Sequence, residues 1–188
     1  MRTIAVALAL IAGTFSPAVA QTDDRVSLWA DASMNSCEIV DPGSGLVQVH
    51  MFHTGSQPAS AVTFFAPTPQ CWEGASWLGD VVASPFQKVG VSTHSVGILI
   101  NYLACIQPPV YLGYMNFLVS GGAQPCCSYP VLPHTEDGVV LVLGYTCGTD
   151  ERVGAGGSAI VNANSSCRCP MPLATEESTW GRVKSLYR

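Results

Sequence analysis

The sequence predicts an all-β protein: a disulfide-stapled antiparallel β-sandwich, immunoglobulin-like or jelly-roll-like, with a short amphipathic helix at its C-terminal end. Three observations carry that prediction. Short apolar runs recur between clusters of Gly, Pro, Ser and Asn, the spacing of sandwich or barrel strands. Eight cysteines lie downstream of an apparent cleavable export signal, and an even count after such a signal is a disulfide framework before it is anything else. Before residue 170 no stretch shows a convincing helical period.

The leader is well formed. Met1-Arg2 gives a positive start, residues 4–15 are almost unbroken apolar, and Ala18-Val19-Ala20 is an A-x-A cleavage site. The apolar run is too short for a comfortable membrane span, which needs about 20 residues. The expected organisation is therefore a cleaved signal peptide (1–20), a β-sandwich domain (21–170), and a Pro-rich connector with the C-terminal helix (171–188). No transmembrane segment is expected after cleavage. The expected location is exported: extracellular, cell surface or periplasm.

Candidate strands are 26–30, 46–53, 61–65, 96–104, 110–119, 139–145 and 158–162. In 46–53, Val47, Val49 and Met51 face one way and Gln48 and His50 the other, as in a strand buried on one face. In 96–104 and 110–119 both faces are apolar, which predicts central strands covered on both sides. Gln107-Pro108-Pro109 between them is short enough for a hairpin or for a crossing to the second sheet.

The chain's end changes period. Thr175 is a plausible N-cap, Glu176 and Glu177 fill the first turn, and Arg182, Lys184 and Arg188 lie toward the other end. Trp180, Val183, Leu186 and Tyr187 form one apolar stripe. Gly181 weakens such a helix by about 1 kcal/mol relative to Ala. A helix this short needs a surface, so the stripe is a candidate docking element, either for its own sandwich or for a partner.

The cysteines are Cys37, Cys71, Cys105, Cys126, Cys127, Cys147, Cys167 and Cys169. Cys126 and Cys127 are adjacent, and Cys167 and Cys169 share a face if extended, so each of the four should bond a distant partner. The expected pairs are Cys37 with Cys71, Cys105 with Cys126 or Cys127, and Cys147 within the C-terminal cluster. Neither close pair has the spacing of a structural zinc site, and no Cys-x-x-Cys redox motif occurs. No metal and no cofactor are expected.

Composition narrows the function. Thirteen acidic residues stand against eight basic ones, and charged residues make up 11% of the chain. No basic patch exists to neutralise phosphates, so nucleic acid is excluded as an expected partner. His50 and His53 fall on opposite faces of one strand and cannot share a metal. His94 sits in a polar loop and His134 in a Pro-rich turn, and no Gly-x-Ser-x-Gly elbow accompanies them; no catalytic residue is assigned. Trp72 and Trp77 lie in a loop-like stretch beside Cys71. They are candidate ligand-binding residues that could stack on sugar rings, against the alternative that they pack on the cystine as core.

Several motifs occur together: Ala30-Asp31 followed by Cys37, Cys71-Trp72, Asn101-Tyr102-x-x-Cys105, and Cys126-Cys127-Ser128-Tyr129-Pro130-Val131. Cys167-x-Cys169-Pro170 and the tail Thr179-Trp180-Gly181-Arg182-Val183-Lys184-Ser185-Leu186-Tyr187 complete the set. The chain thereby resembles a group of uncharacterised exported bacterial proteins with this cysteine layout, over nearly its whole length after the leader. The resemblance implies no activity. The expected function is a secreted or cell-surface non-enzymatic structural or binding module whose partner is a surface protein or a glycan. The alternatives are a small secreted hydrolase with a loop-built site and a carbohydrate-binding module.

Overall fold

The computed structural model describes residues 23–169. The leader (1–20), the connector and the C-terminal helix expected over 175–188 lie outside the described residues. Among the described residues there are twelve strands, beginning with β1 (Arg25–Trp29), β2 (Glu38–Ile39), β3 (Gly45–Thr54), β4 (Ala59–Phe64), β5 (Ala75–Val82) and β6 (Gln87–Ser92). They continue with β7 (Gly97–Ile106), β8 (Val110–Val119), β9 (Cys127–Pro130), β10 (Val140–Leu143), β11 (Arg152–Gly156) and β12 (Ser158–Val161).

The strands make two facing walls and a small third sheet. The first wall runs β5-β8-β3-β1 and the second β10-β4-β7-β6. Strand β11 joins them along one side. Its Arg152–Gly154 half pairs antiparallel with β10, and its Ala155–Gly156 half runs parallel to β1. The small sheet, β2-β12-β9, continues from β11 and packs beside β1. Gly156 sits at that join because a Cβ there would run into the Val131 carbonyl. Gly113 has φ +121 and no room for a Cβ beside the Val81 carbonyl, so β8 can carry β5 on one side and β3 on the other.

The core fills the space between the walls. Val47, Val49 and Met51 of β3 face it, as their alternation predicts, together with Ile98, Ile100 and Tyr102 of β7 and Leu112, Met115 and Phe117 of β8. The expectation that β7 and β8 are covered on both faces is not met. Leu103 and Leu118 are about half exposed, and Leu99, Tyr111 and Tyr114 are partly exposed. Apolar residues on both faces of these strands therefore mark a core on one side and an uncovered outer wall on the other. The Gln107-Pro108-Pro109 turn carries the chain across, since β7 and β8 belong to different walls.

Five strands are not predicted from the sequence: β2, β5, β6, β9 and β11. They are short or interrupted by glycine. Gly79 in β5 and Gly90 in β6 each sit at a bulge that breaks the period-two pattern. Trp77 consequently stands on a strand, not in a loop.

All eight cysteines are bonded, but in an order that corrects the expected pairs. Cys37 bonds Cys169, Cys71 bonds Cys127, Cys105 bonds Cys147, and Cys126 bonds Cys167. Nearness in sequence was a poor guide because sheet pairing sets the distances. The parallel ladder between β2 and β12 brings the chain after β12 back to Cys37. A bridge between Trp72 and Ala123 lays Cys71 against the approach to β9. Strand β4 separates β7 from β10, and the turn after β10 (Tyr145–Cys147) reaches over to Cys105. Cys126 has φ +64, which turns the neighbouring side chains apart so that Cys127 enters the core and Cys126 meets Cys167.

The seam where β11 crosses between the walls holds a buried polar cluster. The Asp24 carboxylate takes a 2.6 Å ion pair from Arg152 Nε and lies 3.5 Å from His53 Nε2. His53 Nδ1 meets the Tyr102 hydroxyl at 3.1 Å, and Arg152 also donates to the Pro58 carbonyl and Thr149 Oγ1. Asp24, His53, Tyr102 and Arg152 are all buried. Burial pushes the His53 imidazole below its ordinary value of 6.5; Asp24 opposes that shift and Arg152 adds to it. Burial also raises the Tyr102 phenol well above its usual range, helped by the Asp24 charge.

These contacts generate three expectations. Peptide mapping under non-reducing conditions should recover the 37–169, 71–127, 105–147 and 126–167 links, with no free thiol in the denatured, unreduced protein; a 37–71 link would refute the topology. Arg152→Met leaves a buried carboxylate unpaired and should cost about 3–5 kcal/mol in a denaturant melt. The third concerns pH. The unfolded chain takes a proton at His53 that the native state resists, so stability should fall as pH drops below 6.5. His53→Gln should flatten that part of the slope in melts at pH 7.5, 6.5 and 5.5, and an unchanged slope would show that His53 is not its source.

Candidate functional site

The predicted ligand-binding tryptophans part company. Trp72 is 1% exposed and packs in the core at a tilt against Phe117 and edge-on to Tyr129, its Nε1 donating to Asp41 Oδ2 at 3.1 Å. That is the core-packing alternative, and it withdraws Trp72 from any sugar platform. Trp77 is partly exposed, but His94 lies flat on its ring, with centroids 5.7 Å apart and planes 12° apart. Its Nε1 donates to Asp80 Oδ1 at 3.2 Å. One face of the ring is thus already occupied.

Asp80 organises this corner. Its carboxylate accepts from Thr93 N at 3.0 Å and Thr93 Oγ1 at 2.5 Å, and Lys88 Nζ stands 3.9 Å away. These bonds tie β5 of one wall to β6 and the turn after it on the other, where no ladder joins the walls. The Trp77–His94 pair is part of this clasp. His94 Nδ1 accepts from Thr68 N at 3.2 Å.

The remaining histidines are placed as their spacing implies. His53 faces the core and His50 the outside of the first wall, where its Nδ1 is 2.9 Å from the Tyr111 hydroxyl. Burial lowers the His50 imidazole while Asp31 pulls it up. Burial works to raise the Asp31 carboxyl, but backbone N–H donors from Asn35, Ser33 and Ser36 outweigh it and bring it below its usual range. His134 Nδ1 lies 3.2 Å from Asp137 Oδ2, and Thr63 Oγ1 donates to the same oxygen at 3.1 Å. The carboxylate here stands between hydroxyl and imidazole. The imidazole has no hydrogen bond to the hydroxyl, which is the contact a histidine-activated hydroxyl nucleophile would need.

What the structure brings together, and single-strand reading could not, is the outer face of the second wall. Val89 of β6 pairs with Leu99 of β7, Leu99 with Thr63 of β4, Thr63 with Leu141 of β10, and Leu141 with Val153 of β11. These five side chains form one outward rung across five strands, about 19 Å at the usual strand spacing. Val89 is 55% exposed and Val153 50% exposed. The one hydroxyl in the rung, Thr63, is covered by Asp137. Leu99 and Leu141 each alternate with fully inward neighbours, which is the signal that could have found them.

The outer face of the first wall is also partly apolar, with Leu46 paired to Leu118 and His50 to Tyr114. Between β2 and β3 it opens into a shallow groove of about 590 Å³. A second cleft of about 530 Å³ lies between β1 and the small sheet, rimmed by Arg25, Ser128 and Ser158. Among the described residues no cluster of His, Cys, Asp and Glu has the arrangement of a metal site. No helix among them is long and apolar enough to cross a membrane.

No family model matches this sequence, and no curated protein matches it. Solved structures do share its shape. The cohesin module of a family 33 glycoside hydrolase from Clostridium perfringens superposes with a TM-score of 0.50 at 12% identity, covering 77% of this chain and 100% of that one. The sixth cohesin of scaffoldin B from Acetivibrio cellulolyticus, solved in complex with a Cel5 dockerin, gives a TM-score of 0.47 at 15% identity, covering 76% of this chain and 100% of that one. A type I cohesin from Clostridium thermocellum, solved with its dockerin, gives 0.47 at 7% identity, covering 77% and 96%. At these identities the likeness concerns shape alone: the chain has a disulfide-stapled, cohesin-like β-sandwich fold.

Proposed function

We propose that this chain is an exported, non-enzymatic binding module that takes a protein partner on the outer face of its second wall. The single observation behind this reading is the Val89–Leu99–Thr63–Leu141–Val153 rung. Exposed apolar side chains are ordinary when scattered, but a row aligned in register across five strands, with Leu99 and Leu141 partly exposed and Val89 more than half exposed, suits an interface. A protein surface with complementary apolar side chains fits it better than a sugar. The rung has no aromatic ring to stack on and a single hydroxyl already bonded to Asp137.

The fold likeness to a cohesin module supports the architecture and leaves the partner's identity to surface chemistry. Four disulfides agree with an oxidising, extracytoplasmic compartment, and the leader agrees with export. The partner expected is an extracellular or surface protein presenting an apolar ridge with a hydrogen-bond donor at its centre for Asp137.

A photo-crosslinking residue placed at Val89 tests this in the exported protein fraction of the producing cells. The expected result is a discrete protein adduct that Leu141→Asp reduces at least tenfold, with none from the same probe at Leu118 on the other wall. Absence of an adduct at Val89, or one indifferent to Leu141→Asp in a protein that still melts normally, would overturn the assignment.

A further inference from the structure

A separate groove opens on the first wall. It is bounded by Glu38 and Val40 on one side and by Leu46, Gln48 and His50 of β3 on the other. Val40 is 72% exposed and Leu46 68% exposed, the two highest values among large apolar side chains described outside the second wall's edge. Asp31 adds a second acid close enough to act on His50. The groove therefore mixes the apolar side chains of Val40, Pro42 and Leu46 with the polar ones of Gln48 and His50, and its rim is acidic.

The described chain ends beside it. Cys169 is bonded to Cys37 with a Cα–Cα distance of 5.9 Å, and Glu38 is the next residue along. Adjacent Cα atoms are about 3.8 Å apart, so the chain leaves within about 10 Å of the groove's edge. Residues 170–174 extended would reach about 17 Å further. Beyond them in the sequence lies the stripe Trp180, Val183, Leu186 and Tyr187, flanked by Arg182, Lys184 and Arg188.

We propose that residues 175–188 of the same molecule occupy this groove, with the apolar stripe on Val40 and Leu46 and the three basic residues toward Glu38 and Asp31. As a helix the stripe would span about 10 Å, against about 14 Å for β3 from Leu46 to His50. The short tether holds the segment at an effective concentration of order mM, so modest contacts are enough to keep it there. The cleft between β1 and the small sheet does not compete. It has no exposed large apolar side chain, and Arg25 on its rim repels a basic segment. The segment would cap the acidic end of the first wall.

Limited trypsin digestion of the full-length, oxidised protein reads the proposal directly at Arg182 and Lys184. Cleavage there should be at least tenfold slower than in Leu46→Asp or Val40→Asp, and Glu38→Lys should weaken protection in a salt-dependent way. Exchange of β8 backbone amides in the same samples verifies that each variant keeps the sandwich; either apolar variant suffices if the other fails to fold. Cleavage of the native chain at the rate of a free 170–188 peptide would overturn the proposal. So would protection unchanged by both variants, or protection that rises with protein concentration, which would assign the segment to a second copy.

Discussion

A buried carboxylate at the seam holds this molecule together. Asp24 precedes the first strand, yet it pairs with Arg152 from the crossing strand, stands against His53 of β3, and through His53 reaches Tyr102 on the opposite wall. Its carbonyl also accepts from Ala155 N, the bond that starts the parallel ladder between β1 and β11. Walls that would otherwise be separate layers become one continuous sheet on this side. Such an arrangement is specified more than it is strengthened, because desolvating the ions offsets much of their attraction. Its consequence is geometric: the guanidinium of β11 meets that carboxylate where the strand passes from its ladder with β10 to its ladder with β1.

The opposite side closes differently. No backbone ladder joins β5 to β6, and the Asp80 carboxylate supplies the link by gathering Thr93, Trp77 and Lys88. Disulfides secure what neither seam reaches. Two of them, Cys37–Cys169 and Cys126–Cys167, tie down the chain after β12, and Cys71–Cys127 fixes the small sheet to the loop that carries Trp72. Each contributes about 2–4 kcal/mol by restricting the unfolded chain. They armour the part of the fold with the shortest strands, where ladders alone would be weakest.

With both edges closed, the outer faces of the walls become the places where this protein can meet something else. They are unlike in chemistry. The second wall carries an apolar rung interrupted by one buried, bonded hydroxyl; the first carries aromatic and amide side chains beside a groove with an acidic rim. The proposed binding surface and the proposed site of the C-terminal segment fall on different walls, and the disulfide to Cys37 fixes the end of the described chain beside the groove of the first.

The sequence by itself determined the class of fold, the full use of the cysteines as disulfides, and the inward face of β3, because these depend on local period and composition. The opposite placement of His50 and His53 was legible for the same reason. Tertiary structure alone decided the disulfide partners, since bond geometry depends on distances that sheet pairing creates between residues far apart in the chain. It also decided that Trp72 is core, and that the second apolar face of β7 is open surface and not a second core. Alternation shows that a strand has two apolar faces, but only the neighbouring layers show whether anything covers them. The rung from Val89 to Val153 belongs to no local segment at all: it exists because five strands in a nonsequential order align in register.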